Sequence, residues 1–219
     1  MKKIIPLLLI LGLVSGCVPT RVNIQGSTTA AKQSSEVPED YSSLVELKEY
    51  SCTQANFFMF YVMTIKNNSD KMLSASLNVT ALDKDGNPLG GNNCSVRVIA
   101  PGQTTCAWTT FDTDYQKITK FEHNLNIKEV QNENVYKDLE LKTNKTSDGV
   151  AVSIKNNGSI AAKSVYADAI FLRGGKMVGF DDIMCTDGES EVKPGQTISG
   201  SGRCANGSFD DMLVYLNCR

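Results

Sequence analysis

The amino-acid sequence predicts an all-β protein with two tandem antiparallel β-sandwich repeats. Three observations lead to this prediction. Short segments recur in the same order along the chain, apolar and polar residues alternate over short stretches, and turn residues (Asn, Gly and Pro) separate those stretches. Neither repeat contains a convincing helical pattern.

The first residues have the features of an export signal. Lys2 and Lys3 precede an apolar stretch over residues 4–14, which is too short to span a membrane. The stretch ends in Val14-Ser15-Gly16-Cys17, which resembles the lipobox of bacterial lipoproteins. The resemblance implies a signal peptide over residues 1–16, a lipid on Cys17 and an anchor in the cell envelope. Val18 rather than Asp follows Cys17, which implies the outer membrane in a Gram-negative host and otherwise the outer face of the plasma membrane.

Residues 17–43 are expected to form a lipidated, disordered tether, because they are rich in Ser, Thr and Gln and lack periodicity. Without Lys2 and Lys3, the 22 basic residues become 20 against 24 acidic ones, a formal charge of −4. No basic run is present, so the sequence offers no electrostatic footprint for nucleic acid. The membrane is therefore expected to be contacted through the lipid alone.

The rest of the chain repeats itself. Five pairs of segments match in one order: Glu46-Leu47-Lys48 with Glu140-Leu141-Lys142, Ile65-Lys66-Asn67-Asn68 with Ile154-Lys155-Asn156-Asn157, Gly86 and Gly90 with Gly175 and Gly179, Pro101-Gly102-Gln103-Thr104 with Pro194-Gly195-Gln196-Thr197, and Leu125-Asn126 with Leu216-Asn217. Their offsets differ only through loop length. We infer an internal duplication, with repeat 1 over residues 44–130, repeat 2 over residues 137–219 and a linker over residues 131–136.

Each repeat reads as a series of short strands joined by turns. Val150, Val152 and Ile154 alternate with polar or small residues, and Asn-Asn-Gly follows them. Six or seven such strands suit an immunoglobulin-like sandwich. A strand, Asn-Asn, a second strand and then Pro-Gly-Gln-Thr resemble the FxLYD-type domain of bacterial lipoproteins and exported proteins. The resemblance covers about residues 65–110 and 154–200, although Thr80 to Asp83 and Ile170 to Arg173 lack the eponymous Tyr-Asp pair. It implies a fold and an envelope location, and no activity.

The stretch Phe57 to Met63 is apolar on both faces of a predicted strand. Met59 and Tyr61 share one face, whereas Phe58, Phe60 and Val62 share the other. Two alternatives follow for the second face. Repeat 2 covers it, or it is exposed and forms the candidate binding face for a partner.

Six cysteines remain after Cys17, and an even number in an exported chain predicts disulfides. The Pro-Gly-Gln-Thr turn lies between Cys94 and Cys106 in repeat 1 and between Cys185 and Cys204 in repeat 2, which predicts one disulfide in each. Cys52 and Cys218 would then bond between the repeats. A bond of Cys52 within its own repeat remains an alternative. No metal site is predicted, because no C-x-x-C spacing is present and His123 is the sole histidine.

Other candidates for chemistry have simpler structural interpretations. Asp83 to Asn87 resembles the start of a calcium loop, but the residue twelve positions along is Cys94 rather than Glu, so a hairpin turn is favoured. The Asp181-Asp182 and Asp210-Asp211 pairs place adjacent carboxylates on opposite faces of a strand. Trp108 is expected to pack on a disulfide of Cys106.

The function expected from these patterns is non-catalytic. We predict a lipid-anchored envelope protein whose two modules bind or scaffold another envelope protein, an extracellular protein or a glycan, without a cofactor. One alternative is an inhibitor or exclusion lipoprotein that blocks a partner enzyme or a phage. A second alternative, an envelope hydrolase, would need convergent titratable groups that the sequence does not indicate.

Overall fold

A computed structural model describes residues 41–131, 135–186 and 191–218. The signal peptide, Cys17 and nearly all of the predicted tether lie outside the described residues. Both repeats belong to one compact unit. No helix among the described residues is long and apolar enough to span a bilayer.

Six antiparallel strands form repeat 1 in the described part of the chain. They are β1 (Val45–Gln54), β2 (Phe58–Asn67), β3 (Leu73–Leu82), β4 (Pro88–Ile99), β5 (Thr104–Phe111) and β6 (Lys120–Glu129). One sheet has the order β1-β2-β5 and the other the order β4-β3-β6. The core between the sheets includes Tyr61, Met63 and Ile65 from β2, and Leu77 and Val79 from β3.

Repeat 2 has the same topology. Its described strands are β7 (Leu139–Lys145), β8 (Gly149–Asn156), β9 (Ala162–Lys163), β10 (Val165–Arg173), β11 (Lys176–Met184), β12 (Glu191–Val192), β13 (Thr197–Arg203) and β14 (Asp211–Cys218). The orders β13-β8-β7 and β11-β10-β14 match the two sheets of repeat 1, and β9 pairs with β12 beside them. Val150, Val152 and Ile154 point into the core, as their alternation predicts. The all-β fold with two tandem immunoglobulin-like sandwiches is therefore confirmed.

Short 3₁₀ turns connect the strands at Tyr41–Leu44, Tyr115–Lys117 and Val135–Asp138. The second of them lies between β5 and β6. β6 begins at Lys120, because Phe121 and Leu125 alternate toward the core of repeat 1.

In each sandwich, backbone hydrogen bonds join the Asn-Asn motif to the Pro-Gly-Gln-Thr turn. Pro101 and Gly102 are the central residues of a type II turn, in which Gln103 N donates to Ala100 O (3.0 Å) and Gly102 has a φ of 73°. Gly102 N then donates to Asn67 O, and Asn67 N donates to Gln103 O (both 2.9 Å). The second repeat has the same contacts: Gly195 N to Asn156 O (2.8 Å) and Asn156 N to Gln196 O (3.0 Å).

The side chains of Asn67 and Asn156 add further hydrogen bonds to the backbone at the same place. Both are fully buried. Asn67 Nδ2 donates to Lys71 O (2.7 Å) and Ile99 O (3.0 Å), and Asn156 Nδ2 donates to Ile160 O and Val192 O (both 2.8 Å). The repeated motifs are thus explained by the backbone hydrogen bonds that they satisfy in the sandwich.

Candidate functional site

The two repeats pack on each other through two outer sheet faces. The face of β1, β2 and β5 supplies Phe60, Val62 and Trp108, and the face of β10, β11 and β14 supplies Ile170 and Phe180. Val62 is fully buried and Phe60 is 8% exposed. The ring of Phe180 lies 5.1 Å from that of Phe60 and 5.3 Å from that of Trp108, measured between centroids. This is the geometry of favourable aromatic pairs in a core.

Repeat 2 therefore covers the face that the sequence left open. Phe58 is half-buried beside Phe60, with 5.1 Å between ring centroids. The expectation of an exposed binding face at Phe58, Phe60 and Val62 is wrong, because these side chains belong to the interface between the repeats. Trp108 belongs to the same interface, and its aromatic neighbours are Phe60 and Phe180.

A polar seam runs beside this apolar interface. Asp168 on β10 is fully buried, and its Oδ2 accepts a hydrogen bond from Asn217 Nδ2 (2.5 Å). Asn217 Nδ2 also donates to Cys106 O (3.1 Å) in repeat 1, and Thr105 Oγ1 donates to Leu216 O (3.0 Å) in repeat 2. These bonds fix the register of β5 against β14.

Asp168 was not recognised from the sequence. Its neighbours Val165, Ala167 and Ala169 on β10 face the core of repeat 2. The signal for a second buried face was the uninterrupted apolar run from Ala169 to Leu172, which resembles the run in β2.

The cysteines of repeat 1 lie in different layers. Cys94 packs against the core between the two sheets, whereas Cys106 belongs to the interface on the outer side of the β1-β2-β5 sheet. The sheet itself separates them, so the predicted Cys94–Cys106 disulfide is not supported. The reason is that β4 and β5, which flank the Pro-Gly-Gln-Thr turn, belong to opposite sheets.

The cysteines of repeat 2 lie near opposite ends of β11. The Cys204 sulfur lies 2.9 Å from where a Cβ on Gly179 would be, and the Cys185 sulfur lies 3.2 Å from where a Cβ on Gly200 would be. Cys185 follows Gly179 by six residues, which is roughly 20 Å in an extended strand. The predicted Cys185–Cys204 disulfide is therefore not supported either.

The backbone also separates Cys52 from Cys218. Cys218 pairs with Val165 across β14 and β10, and its side chain lies outside the described part of the structure. Cys52 pairs with Phe60, whose ring contacts Phe180. Phe180 in turn pairs with Ile170, five residues and roughly 17 Å along β10 from Val165. The backbone positions therefore do not support the predicted covalent clamp through these two residues.

His123 lies in a small polar cluster at the edge of repeat 1. Its Nδ1 lies 3.4 Å from the Tyr61 hydroxyl and 3.5 Å from Glu49 Oε1, and Tyr61 donates to Glu49 Oε2 (2.8 Å). Burial, together with the Glu49 hydrogen bond, raises the pKa of Tyr61 well above its usual value. The cluster therefore holds Tyr61 as a neutral hydrogen-bond donor.

The acidic residues that the sequence offered as candidates for chemistry accept hydrogen bonds from backbone N–H groups. Asp83 Oδ1 accepts from Asp85 N (2.9 Å) and Asn87 N (2.8 Å), and these hydrogen bonds, those of Asn87 first, lower its pKa. The hairpin interpretation of this turn fits these bonds. Asp181 Oδ2 accepts from Arg203 N (2.7 Å), whereas Asp182 pairs with Asp168 across the strands. The second pair lies in a loop and at a strand start: Asp210 accepts from Gly174 N (2.8 Å), and Asp211 accepts from Met212 N (2.7 Å).

A cleft of about 630 Å³ opens where the two repeats meet the linker. Equivalent loops of the repeats line it, since Asp70 to Met72 follow Asn67-Asn68 and Ser159 and Ile160 follow Asn156-Asn157. Lys137 and Asp138 line it from the linker side. Ile160 is 49% exposed and presents its side chain to solvent at the wall of the cleft.

Charges of both signs surround this cleft. Lys71 Nζ lies 2.8 Å from Glu129 Oε2, which also accepts from the Tyr41 hydroxyl (3.0 Å). These two hydrogen bonds, that of Lys71 first, lower the pKa of Glu129. Asp138 O accepts from Asn157 N (2.9 Å), which ties the start of repeat 2 to the loop after β8. The cleft is thus a concave surface with charged walls and four apolar side chains, Met72, Val130, Val135 and Ile160.

The described residues contain no group of three or more His, Cys, Asp and Glu side chains that would hold a metal ion. No protein-family model and no curated protein matches the chain. Among solved structures, red sea bream transglutaminase is similar over 80% of this chain, with 12% identity and a TM-score of 0.29. The match spans 29% of the length of the transglutaminase chain.

Proposed function

We propose that this chain is a lipid-anchored protein of the bacterial envelope that binds a partner without catalysis. The observation that carries the proposal is the junction cleft. Because the repeats are packed together through a buried face, their equivalent loops are held on the two sides of one concave surface. Preorganised surfaces of this kind bind without the entropic cost of ordering two mobile domains.

The chemistry of the cleft favours a polar partner. Asp70, Lys71, Glu129, Lys137 and Asp138 present charges of both signs around Ile160. Such a surface suits a segment of an envelope protein, an extracellular protein or a glycan that combines hydrogen-bonding groups with a small apolar contact. The lipobox at Cys17 supports the location, since acylation of Cys17 would keep the cleft at a membrane surface.

Crosslinking in intact cells, followed by purification of the full chain, tests the proposal. Ile160→Asp and Lys137→Glu change the cleft at exposed positions, and Phe57→Asp is the matched control at a hairpin tip where Phe57 is 73% exposed. We expect one stoichiometric partner with the wild type and Phe57→Asp, and its loss with Ile160→Asp. Equal recovery with all variants would remove the cleft from the proposal, and no partner for the wild type would contradict the binding function.

The anchor is tested in the same cells. Cys17→Ser is expected to release the protein from the membrane fraction after a high-salt wash, because the sulfur that would carry the lipid is gone. Retention of the variant in that fraction would contradict the lipoprotein assignment without bearing on the cleft.

A further inference from the structure

The strand β7 forms a free edge of its sheet, because β8 is the only strand that pairs with it in the described part of the chain. Asn157 N donates to Asp138 O (2.9 Å), so the odd-numbered residues of β8 direct their backbone groups toward β7. Their partners on β7 are Glu140, Lys142 and Asn144. In an antiparallel pair, the residues between such partners point the other way. Leu141 and Thr143 therefore present their N–H and C=O groups outward.

A groove of about 480 Å³ lies beside this edge. Its apolar walls are Leu139 and Leu141 from β7, and Val214 and Leu216 from β14, the edge strand of the facing sheet. The Pro-Gly-Gln-Thr turn of repeat 1 also lines it. The groove thus brings apolar side chains next to outward backbone groups.

In repeat 1, a hydrogen-bonded cluster joins the two corresponding edges. Tyr61 donates to Glu49 Oε2 (2.8 Å), and His123 Nδ1 lies 3.4 Å from the Tyr61 hydroxyl, so β1 and β2 are connected to β6 of the facing sheet. The corresponding positions of repeat 2 carry Val150, Thr143 and Val214. These smaller side chains cannot make the same hydrogen bonds, so repeat 2 lacks the connection that closes this side of repeat 1.

The edge of β1 shows how outward backbone groups are satisfied elsewhere in this molecule. Asn206 of repeat 2 lies against it: Nδ2 donates to Thr53 O (2.6 Å), and Oδ1 accepts from Ala55 N (3.1 Å). These are the hydrogen bonds that a neighbouring strand would make. No described residue does the same for Leu141 or Thr143 on β7.

We propose that an extended segment of a partner protein adds to the free edge of β7 as a further strand and fills the groove between β7 and β14. Only another backbone offers alternating N–H and C=O groups at the spacing of Leu141 and Thr143. The side chains of an added strand alternate between its two faces. Every second side chain of the segment therefore faces Leu139 and Val214 and is apolar.

The added strand would continue a contact that repeat 1 already makes. Thr105 Oγ1 donates to Leu216 O (3.0 Å) at the end of the β14 edge, and the segment would occupy the remaining margin of the groove. Lys137 is the charged side chain that lines the groove, which favours an acidic residue at that end of the segment. Lys137 alone is shared with the lining of the junction cleft, so the two surfaces can be tested separately.

Selection from a phage-displayed library of random short peptides on the immobilised full chain provides the probe. Enriched peptides are synthesised and titrated against the wild type, and we expect apolar residues at alternate positions. Two versions of each peptide are then N-methylated, one at the odd and one at the even backbone nitrogens. One version should lose binding and the other keep it, because an added strand bonds to β7 through one edge only. Equal behaviour of the two versions would overturn the proposal.

Two proline variants test the location. Thr143→Pro removes an outward N–H at an exposed position of β7, where an edge strand tolerates proline. Ser199→Pro is the matched control on β13, the opposite edge of the same sheet. Asn156 N donates to Gln196 O (3.0 Å), so the even-numbered residues of β8 point to β13, and the exposed Ser199, opposite Ser153, points outward. We expect peptide affinity to fall roughly tenfold or more in Thr143→Pro and to stay unchanged in Ser199→Pro.

Three results would contradict the edge site. They are the absence of enriched peptides, an affinity that Thr143→Pro leaves unchanged, and a dimer of the full chain that Thr143→Pro abolishes, which would make a second copy the occupant. Peptides that lose affinity in Ile160→Asp but not in Thr143→Pro would bind the junction cleft instead, so failure of the edge site is distinguishable from failure of the cleft. The methylated peptides give the answer with the wild type even if a proline variant folds poorly.

Discussion

Asn67 and Asn156 each satisfy backbone groups of the chain around them. The side-chain NH₂ group of each residue donates to one loop carbonyl, of Lys71 or Ile160, and to the carbonyl of the last residue of a strand, Ile99 or Val192. Its carbonyl accepts from the backbone N–H two residues on, Ser69 in one repeat and Gly158 in the other. An unsatisfied buried carbonyl costs about 1–3 kcal/mol. The duplicated Asn therefore marks a point where the fold depends on one side chain.

We predict that Asn67→Ala destabilises the protein by about 2–4 kcal/mol, because it leaves Lys71 O and Ile99 O without their donor. Urea unfolding followed by circular dichroism measures the change. Asn68→Ala is the control, since Asn68 is exposed and donates its backbone N–H, which the substitution keeps, to Leu44 O. A similar loss in both variants would show that the side-chain hydrogen bonds of Asn67 contribute little.

Buried thiols make the free energy of unfolding of the reduced protein depend on pH. Burial raises the pKa of Cys94 to about 11, and burial followed by the charge of Cys204 raises that of Cys52 to about 12, against 9.0 for a free thiol. Below pH 9 the folded and unfolded states hold the same protons. Above it the unfolded chain releases them first, so the free energy of unfolding falls until the folded thiols also ionise.

We therefore expect the stability of the reduced protein to decline between pH 9 and about 12. Urea titrations in dithiothreitol at several pH values measure the slope. Cys94→Ala should flatten the decline between pH 9 and 11, because it removes one group whose pKa differs between the two states. An unchanged slope in this variant would contradict the assignment to Cys94.

At the scale of the elements, β8 and β13 approach each other too closely for a side chain at Gly149. A Cβ there would lie 1.9 Å from Gly202 O and 2.8 Å from the Cα of Arg203. Both atoms belong to the backbone, so the strands themselves would have to separate. This glycine is explained by the close approach of two backbones rather than by a turn.

Gly149→Ala is expected to destabilise the protein by about 1–3 kcal/mol, since it displaces the β8–β13 pairing. Gly91→Ala is the matched control, because the nearest atom to its Cβ, Val79 O, would lie at 3.8 Å, an ordinary contact. Thermal unfolding of both variants distinguishes them. A tolerated Gly149→Ala would show that β13 shifts freely.

The strand pattern was predictable from sequence to the extent that it rests on local rules. Alternation located β8, whereas the apolar run of β2 left open whether repeat 2 covers its second face or the face is exposed. The disulfides were not predictable in this way, because pairing depends on which sheet and which face each strand adopts. Cys94 and Cys106 flank one turn, yet β4 and β5 lie in different sheets. The cleft was also beyond sequence reasoning, since its walls come from loops that only the packing of the repeats brings together.

At the scale of the whole molecule, the interface between the repeats acts as a third core. Phe60 contacts Phe58, Trp108 and Phe180, and it faces away from the core of its own repeat. Its removal would leave a cavity at the boundary and keep both sandwich cores intact. The two repeats should then unfold with less cooperativity.

We predict that Phe60→Ala costs about 3–5 kcal/mol and separates the unfolding of the two repeats into two transitions. Differential scanning calorimetry detects the split. Phe57→Ala removes a ring of the same size three residues away that is 73% exposed, so it should change stability little. One sharp transition in Phe60→Ala, at an unchanged temperature, would contradict this role of the interface.

The faces that meet are not equivalent in the duplication, because a β2-type face of repeat 1 packs on a β10-type face of repeat 2. A head-to-tail contact of this kind leaves one face of each type outside the contact, where the same contact could in principle be repeated by a further copy. The β8 positions that correspond to Phe60 and Val62 carry Gly149 and Ala151, and the β3 positions that correspond to the buried β10 face carry Ser76, Asn78 and Thr80. At these positions, neither outer face carries the aromatic and large aliphatic side chains through which the two repeats contact each other.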